Sequence, residues 1–217
     1  MTSLTSSHIE PHWLEPFLAH CHIKTYAIKV DFIRPGQAAD TLRYLVEGSV
    51  AVVIDGKDNR EMVLAYINKR EFIGEMGLFV PQGTRNVTVR TRTVCKVAEI
   101  TYQRLDRLLD TQLKDISKDF LYTLGSQLSH RLRSTSRKVE HLAFLDVTGR
   151  IAGALLDLCK QPDAMTHPDG MQIFITRQEI GRLVGCSREM AGRVLKNLEE
   201  QKLITVKGKT IVVLHSR

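Results

Sequence analysis

Between about residues 25 and 103 the chain alternates short apolar runs with turn residues. Leu45–Val46, Val50–Ile54, Met62–Ile67 and Val97–Ile100 are rich in strand formers, and Gly36, Gly48, Asp55-Gly56 and Pro81 punctuate them. Short strands with regular turn signals predict a β-barrel or sandwich. From about Tyr102 the pattern turns helical. Leu121, Gly125, Leu128, Leu132, Thr135, Val139 and Leu142 alternate spacings of four and three, the seam of a helix paired along its length. A helix packed on its own barrel is the alternative. Two details favour pairing between subunits: the flanks Ser129, His130, Arg131, Arg133, Arg137 and Lys138 are polar, and Thr135 sits within the seam. A hydroxyl there costs stability unless something bonds it. Residues 143–147 read as a hinge. A helix over Thr148–Cys159 follows, then a polar turn from Gln161 through His167-Pro168-Asp169-Gly170.

The segment from Ile175 to Glu200 is the most informative. Thr176 and Glu179 have capping-box spacing, which sets the start of one helix, and Ile180, Leu183 and Val184 supply its apolar face. Gly185-Cys186-Ser187 interrupts it, and Ser187 is suited to cap a second helix over 187–200. Two short helices joined by a Gly-containing turn form a helix-turn-helix. At about 100° per residue, Arg188, Gly192, Lys196, Glu189 and Arg193 share one arc of the second helix. Met190, Val194, Leu198, Ala191 and Leu195 share the opposite one. The polar arc suits a major groove, where Arg forks onto guanine and Glu accepts from cytosine N4; Lys196 suits a phosphate. A solvated surface helix is the bland alternative, and the coincidence of cap, turn and amphipathic split weighs against it. Leu203–Val206 and Thr210–Leu214, with Lys207-Gly208 between them, read as a hairpin wing along the phosphates.

Charge supports this placement. The net +7 is uneven: 15 Lys/Arg against 9 Asp/Glu from Leu128 to Arg217, 16 against 15 before it. A basic rear half suits an anionic polymer, because phosphate neutralisation dominates nucleic-acid affinity. Met1 to His12 are polar and hold no apolar run of signal or membrane-span length, so a soluble cytoplasmic protein that uses no membrane is expected. Cys21, Cys95, Cys159 and Cys186 lie far apart, which argues against zinc, disulfide or iron–sulfur chemistry. No nucleophile–base constellation, P-loop, dinucleotide fingerprint or metal spacing is present, and the eight histidines are scattered. A catalytic site and a metal site are therefore not expected.

Residues 141–217, with Gly48-Ser-Val-Ala-Val and Phe72-Ile-Gly-Glu-Met-Gly-Leu-Phe79 in the front half, resemble the superfamily of the cyclic-AMP receptor protein (catabolite activator protein) and FNR over nearly the whole chain. The resemblance implies an α+β fold: an N-terminal cyclic-nucleotide-binding β-barrel (jelly roll), a long dimerisation helix and a C-terminal winged helix-turn-helix. It implies a division into 1–142, the sensor with its long helix, and 143–217, the DNA-binding domain. Matched position by position, Arg188, Glu189 and Arg193 look like base readers, and Arg177, Gln178 and Ser187 like phosphate contacts. Leu64, Gly74, Glu75, Met76, Arg85, Asn86, Thr135 and Ser136 look like the cyclic-nucleotide contacts. In that role Glu75 accepts from the ribose 2′-hydroxyl and Arg85 forks onto the cyclic phosphate, with backbone N–H groups from a short helix near Gly77. Thr166, His167, Pro168, Asp169 and Gly170 match one RNA-polymerase contact, and His22, Lys24 and Arg104 a second, basic one.

One departure bears on the ligand. Asn86 stands where cyclic-AMP binders of the family carry Ser, while Thr84–Thr93 resembles the Clp branch, which responds to cyclic di-GMP and has an acidic residue at that position. The expected protein is a homodimeric, sequence-specific transcription regulator, activating or repressing, gated by cyclic AMP; cyclic di-GMP or no ligand remain open. A cyclic-nucleotide module that binds no DNA is the rival from another class, and Arg188, Glu189, Arg193 and Lys196 discriminate against it.

Overall fold

The computed structural model describes residues 10–56, 61–80 and 83–214; the first nine residues of the polar opening and the Pro81 turn signal lie outside them. The chain forms two compact units, one from residues up to 50 with 67–131, the other from 51–66 with 132–217.

In the first unit, α1 (Leu14–Leu18) precedes β1 (His22–Tyr26), β2 (Asp31–Ile33), β3 (Thr41–Glu47) and the start of β4 (Ser49–Asp55). After the end of β5 (Glu61–Asn68) come β6 (Phe72–Ile73), α2 (Met76–Phe79), β7 (Thr88–Thr91), β8 (Cys95–Thr101), α3 (Tyr102–Asp110) and the first half of α4 (Lys114–Phe144). All four sequence-read runs fall inside strands. The strands make two four-stranded sheets, β1-β8-β3-β6 and β2-β7-β4-β5. The sheets share no strand and are not closed into one barrel, so the jelly-roll form of the expectation applies. Leu42 and Tyr44 alternate inward from β3 and join Trp13, Phe17, Phe72 and Phe120 in one core. Five of these rings pack with centroids between 4.9 and 6.2 Å, distances at which edge and tilted contacts add to burial. This cluster fixes α4 against β6. Trp13 Nε1 donates to Thr123 Oγ1 at 3.1 Å, and Gln127 Oε1 accepts from the Phe72 amide at 2.9 Å.

The second unit holds α5 (Val147–Leu158), β9 (Met165–His167), β10 (Gly170–Phe174), α6 (Arg177–Val184), α7 (Arg188–Glu200), β11 (Ile204–Lys207) and β12 (Thr210–Leu214). A sheet in the order β11-β12-β10-β9 carries the helices. Ile151, Leu155, Ile173, Ile180, Val184, Ala191, Leu195, Leu198 and Ile211 form its core. The expected polar turn over 161–170 contains strand. Its residues are polar and largely exposed, and pairing of β10 with β12 along its whole length selects the extended form. The hinge is also shorter than expected. Helix α4 continues to Phe144, and Asp146 caps α5 by accepting from the Gly149 amide at 2.8 Å.

Only Phe120 and Leu124 of α4 are buried. The seam residues Leu121, Leu132, Val139 and Leu142 are exposed, Leu132 by 70% and Val139 by 61%. Replacing Phe120, fully buried against the rings of Trp13, Phe17 and Phe72, with Ala is expected to cost about 3–5 kcal/mol. Urea denaturation of the variant should show that loss.

Candidate functional site

The DNA-reading unit is assembled by local rules. Thr176 Oγ1 accepts from the Glu179 amide at 3.1 Å, and Glu179 Oε2 accepts from the Thr176 amide at 3.0 Å. This reciprocal capping box starts α6 at Arg177. Gly185, at φ +70°, ends it in the left-handed region. Gly181 lets the turn close: a Cβ there would lie 2.6 Å from the Cys186 carbonyl oxygen. Ser187 Oγ then accepts from the Met190 amide at 3.1 Å and starts α7.

On α7, Ala191, Val194, Leu195 and Leu198 are buried. Met190, assigned to that apolar arc from the sequence, is 38% exposed because it lies in the first turn, ahead of the packed core. Arg188, Glu189, Arg193 and Lys196 are all exposed. With Arg177 and Gly192 they line an open concavity of about 640 Å³. Arg177 leans over Gly192, with Cδ 3.4 Å from where a Cβ would stand, so the α6 cation lies beside the α7 face. Gln178 and Ser187 are exposed beside it. The Glu189 carboxyl is held below the usual range by its own backbone N–H, then by the Ser187 hydroxyl. The wing is tied to α7 by a bond that the sequence did not announce: Glu199 Oε1 accepts from the Val206 amide at 2.7 Å.

The cyclic-nucleotide candidates divide between the units. Gly74, Glu75, Met76, Arg85 and Asn86 belong to the first; Leu64, Thr135 and Ser136 belong to the second and are exposed. In the first unit Glu75 and Arg85 are buried charges, 3% and 7% exposed. Arg85 Nη2 donates to the Thr41 carbonyl at 2.6 Å, but its Nε is buried with no hydrogen-bond partner. An unmet guanidinium donor is costly, and an anionic oxygen would satisfy it. Gly74, at φ +85°, makes room for that guanidinium, whose Nη1 would stand 2.7 Å from a Cβ. Glu75 Oε1 accepts from Arg131 Nη1 at 2.6 Å, and its acceptor capacity leaves room for a hydroxyl. These residues fit a cyclic phosphate with an adjoining ribose. The helical N–H groups expected near Gly77 are instead engaged internally: α2 starts at Met76, the Gly77 amide donates to Gly74 O and the Leu78 amide to Glu75 O. Asn86 is exposed.

Two residues of this cassette escaped the sequence reading. Arg131, taken only as a polar flank of the seam, also donates to the Phe72 carbonyl at 2.6 Å. Tyr102 Oη donates to Gly74 O at 2.5 Å. Neither lies in a motif that sequence spacing marks.

Of the second basic group, His22, Lys24 and Arg104 are exposed, but Lys24 Nζ is bound to Glu99 Oε2 at 2.7 Å and Arg43 Nε to Glu99 Oε1 at 2.8 Å. Burial pushes the Glu99 carboxyl up, yet hydrogen bonds from Lys24 and Arg43 and their charges outweigh it, and the group sits below its ordinary value. Thr166 on β9 and Pro168 and Asp169 on the β9–β10 turn are exposed and His167 partly so, whereas Gly170 is buried against β12, with Val213 O 1.9 Å from where a Cβ would be.

A nucleotide-type anion cassette with a winged helix-turn-helix defines a ligand-responsive, DNA-binding transcription regulator, not an enzyme. The chain belongs to the crp family of bacterial regulatory proteins: the model for that family matches residues 173–204, and the cyclic nucleotide-binding domain model matches 25–112. It is similar to the cAMP-activated global transcriptional regulator Vfr of Pseudomonas aeruginosa, at 55% identity over 94% of each chain. To the cAMP-activated global transcriptional regulator CRP of Salmonella typhimurium it is 56% identical, over 94% of this chain and 95% of the relative. To the CRP-like protein Clp of Xanthomonas euvesicatoria it is 52% identical, over 94% and 89%. The structure of the c-di-GMP-responsive global regulator CLP of Xanthomonas campestris matches with a TM-score of 0.88 and 51% identity, over 94% of this chain and 99% of the other. Among the described residues no helix is long and apolar enough to cross a membrane.

Gly181→Ala should force the inter-helix turn apart, costing about 1–3 kcal/mol and weakening duplex binding; melting curves and gel shifts read both effects. Glu99 stabilises the fold above its unfolded pKa and loses that contribution as pH falls through its lowered folded value. Glu99→Gln should therefore flatten the acid side of the stability–pH curve.

Proposed function

We propose that the chain acts in the cytoplasm as a homodimer that binds double-stranded DNA sequence-specifically when it holds cyclic AMP. The observation that carries the reading is the division of α7: its apolar side is buried, while Arg188, Glu189, Arg193 and Lys196 stand exposed beside Arg177. Arg188, Glu189 and Arg193 would read base edges; Arg177, Gln178, Ser187 and Lys196 would hold phosphates. The working boundary between sensor and DNA-binding domain is 142/143.

Arg85 would take the cyclic phosphate through its unpartnered Nε, Glu75 the ribose 2′-hydroxyl, with Gly74, Met76 and Asn86 around them and Leu64, Thr135 and Ser136 against the base. The exposed seam of α4 supports a second copy as its cover, since apolar side chains in coiled-coil register lose water only against a partner. RNA polymerase would be met by Thr166, His167, Pro168 and Asp169, on the turn that Gly170 shapes, and by His22, Lys24 and Arg104. Cyclic di-GMP is the second reading, favoured by the Clp-like stretch Thr84–Thr93 and by the likeness to CLP, while Asn86 matches neither branch.

Calorimetric titration with each nucleotide, followed by duplex binding with and without it, tests the reading. Saturable cyclic-AMP binding that raises duplex affinity is expected; lower affinity on adding cyclic di-GMP would replace the effector. Arg85→Ala should abolish the nucleotide response and leave non-specific duplex affinity unchanged. Arg188→Ala should cost about 1–3 kcal/mol at one base position, while Lys196→Ala should lower the salt slope by about one with little change in sequence preference.

A further inference from the structure

The described residues 51–56, of β4 and its end, and 61–66, of β5, belong to the same compact unit as the helix-turn-helix. Three kinds of contact seat them there. Ala51, Val53 and Val63 form a buried cluster with Tyr66 and Leu183, the last on α6. Tyr66 and Leu183 also pack on the main core of the DNA-reading unit, so the two clusters are continuous. Arg182 Nη2 of α6 lies 3.0 Å from Glu61 Oε2 of β5, with side chains 33% and 19% exposed. Finally, Lys138 Nζ of α4 donates to the Leu64 carbonyl at 2.6 Å. Burial drives the Lys138 ammonium below its usual range, with Asp157 opposing the shift, as expected for a cation capping a backbone carbonyl out of water.

Strand alternation puts Glu61, which meets Arg182 of α6, and Leu64 on opposite sides of β5. Leu64, named above as a base contact, is 36% exposed, and Tyr66, on the same side as Leu64, joins the cluster with Leu183. None of the DNA-reading side chains takes part in the seating. Arg177, Arg188, Arg193 and Lys196 remain exposed while it is made, so the seated arrangement is compatible with an engaged duplex.

We propose that Glu61 and Arg182 are positioning residues that lock β5 to α6, so that displacement of the strand from its Leu64 side is transmitted to the helix-turn-helix. The seating is a property of this chain alone; its use in response to a nucleotide rests on the reading given under Proposed function. An ion pair this exposed is partly screened. Its coupling therefore belongs at the low end of the range for allosteric contacts, about five-fold.

The test uses the full chain, the variants Glu61→Gln and Arg182→Gln, and the charge swap Glu61→Arg with Arg182→Glu. Amide exchange reports local opening, and each single variant should speed exchange about five-fold within both 62–66 and 178–184. Each should also reduce by about five-fold the gain in affinity that cyclic AMP confers for a duplex selected by the unaltered protein. The swap should restore both. Unchanged exchange in the single variants, faster exchange with the full duplex response retained, or a swap that restores neither would each overturn the proposal. Should the unaltered protein show no gain from cyclic AMP, the effector assignment fails by itself. Exchange rates and nucleotide-free duplex affinity across the same four proteins would then decide the seating, with unchanged values in the single variants overturning it.

Discussion

A helix packed on a small core can bury only one side, and the chemistry of the second unit follows from how α7 meets that constraint. Ala191, Val194, Leu195 and Leu198 join Ile151, Leu155, Ile180 and Ile211 in the core. Burying four apolar side chains stabilises one rotation of the helix by several kcal/mol, at roughly 1.5–3 kcal/mol for each large one. Any other rotation would bury arginine without a partner, at a cost that exceeds this gain. The cationic face is thus what remains once the core is made. The Gly181–Cys186 close approach and the Gly185 left-handed cap bring α6 alongside, and Arg177 adds a further cation to the same surface.

The first unit applies the same logic to a ligand cassette. Phe72 is fully buried in the aromatic cluster, and two residues later the chain turns at Gly74 and presents Glu75. The cluster therefore sets where the carboxylate stands, and Gln127 and Arg131 bind the Phe72 amide and carbonyl to α4. Arg131 reaches Glu75 from the same helix. A carboxylate buried to this degree is tolerated because the guanidinium compensates it, whereas Arg85 keeps a buried donor in reserve.

Much of this was legible because it is written in local periodicity. The capping box, the Gly185 turn and the Ser187 cap each involve residues within four positions of one another, and all three stand as read; the α7 amphipathic split, built on spacings of three and four, stands except at Met190. The strand runs and the long helix also stand. Features that depend on distant partners were not legible. Strand β9 is short and mostly polar, and β10 begins inside the polar turn at Gly170; both are set by pairing, β10 with β12 and β9 with β10. Tyr102, Arg131 and Glu199 looked like ordinary polar residues until the fold brought Gly74, Glu75 and the Val206 amide to them. Met190 was misplaced because an ideal helical wheel ignores where the core ends.

Helix α4 joins the two halves of the problem. Its buried residues, Phe120 and Leu124, lie in its first half. Beyond Leu128 its apolar positions face water, and roughly 1.5 kcal/mol or more is available for each Leu or Val that a partner covers. Thr135 stands between Leu132 and Val139 in that uncovered stretch. A ligand hydrogen-bonded to Thr135 would gain most where water is excluded, and water is excluded where the neighbouring seam residues are covered. Ligand binding and subunit pairing would then favour each other through one helix, because each makes the surroundings of the other drier. By linkage, the strength with which the nucleotide tightens the dimer must equal the strength with which the dimer tightens the nucleotide. A polar residue in an apolar seam, a defect in a merely structural helix, is what such a reciprocal arrangement requires.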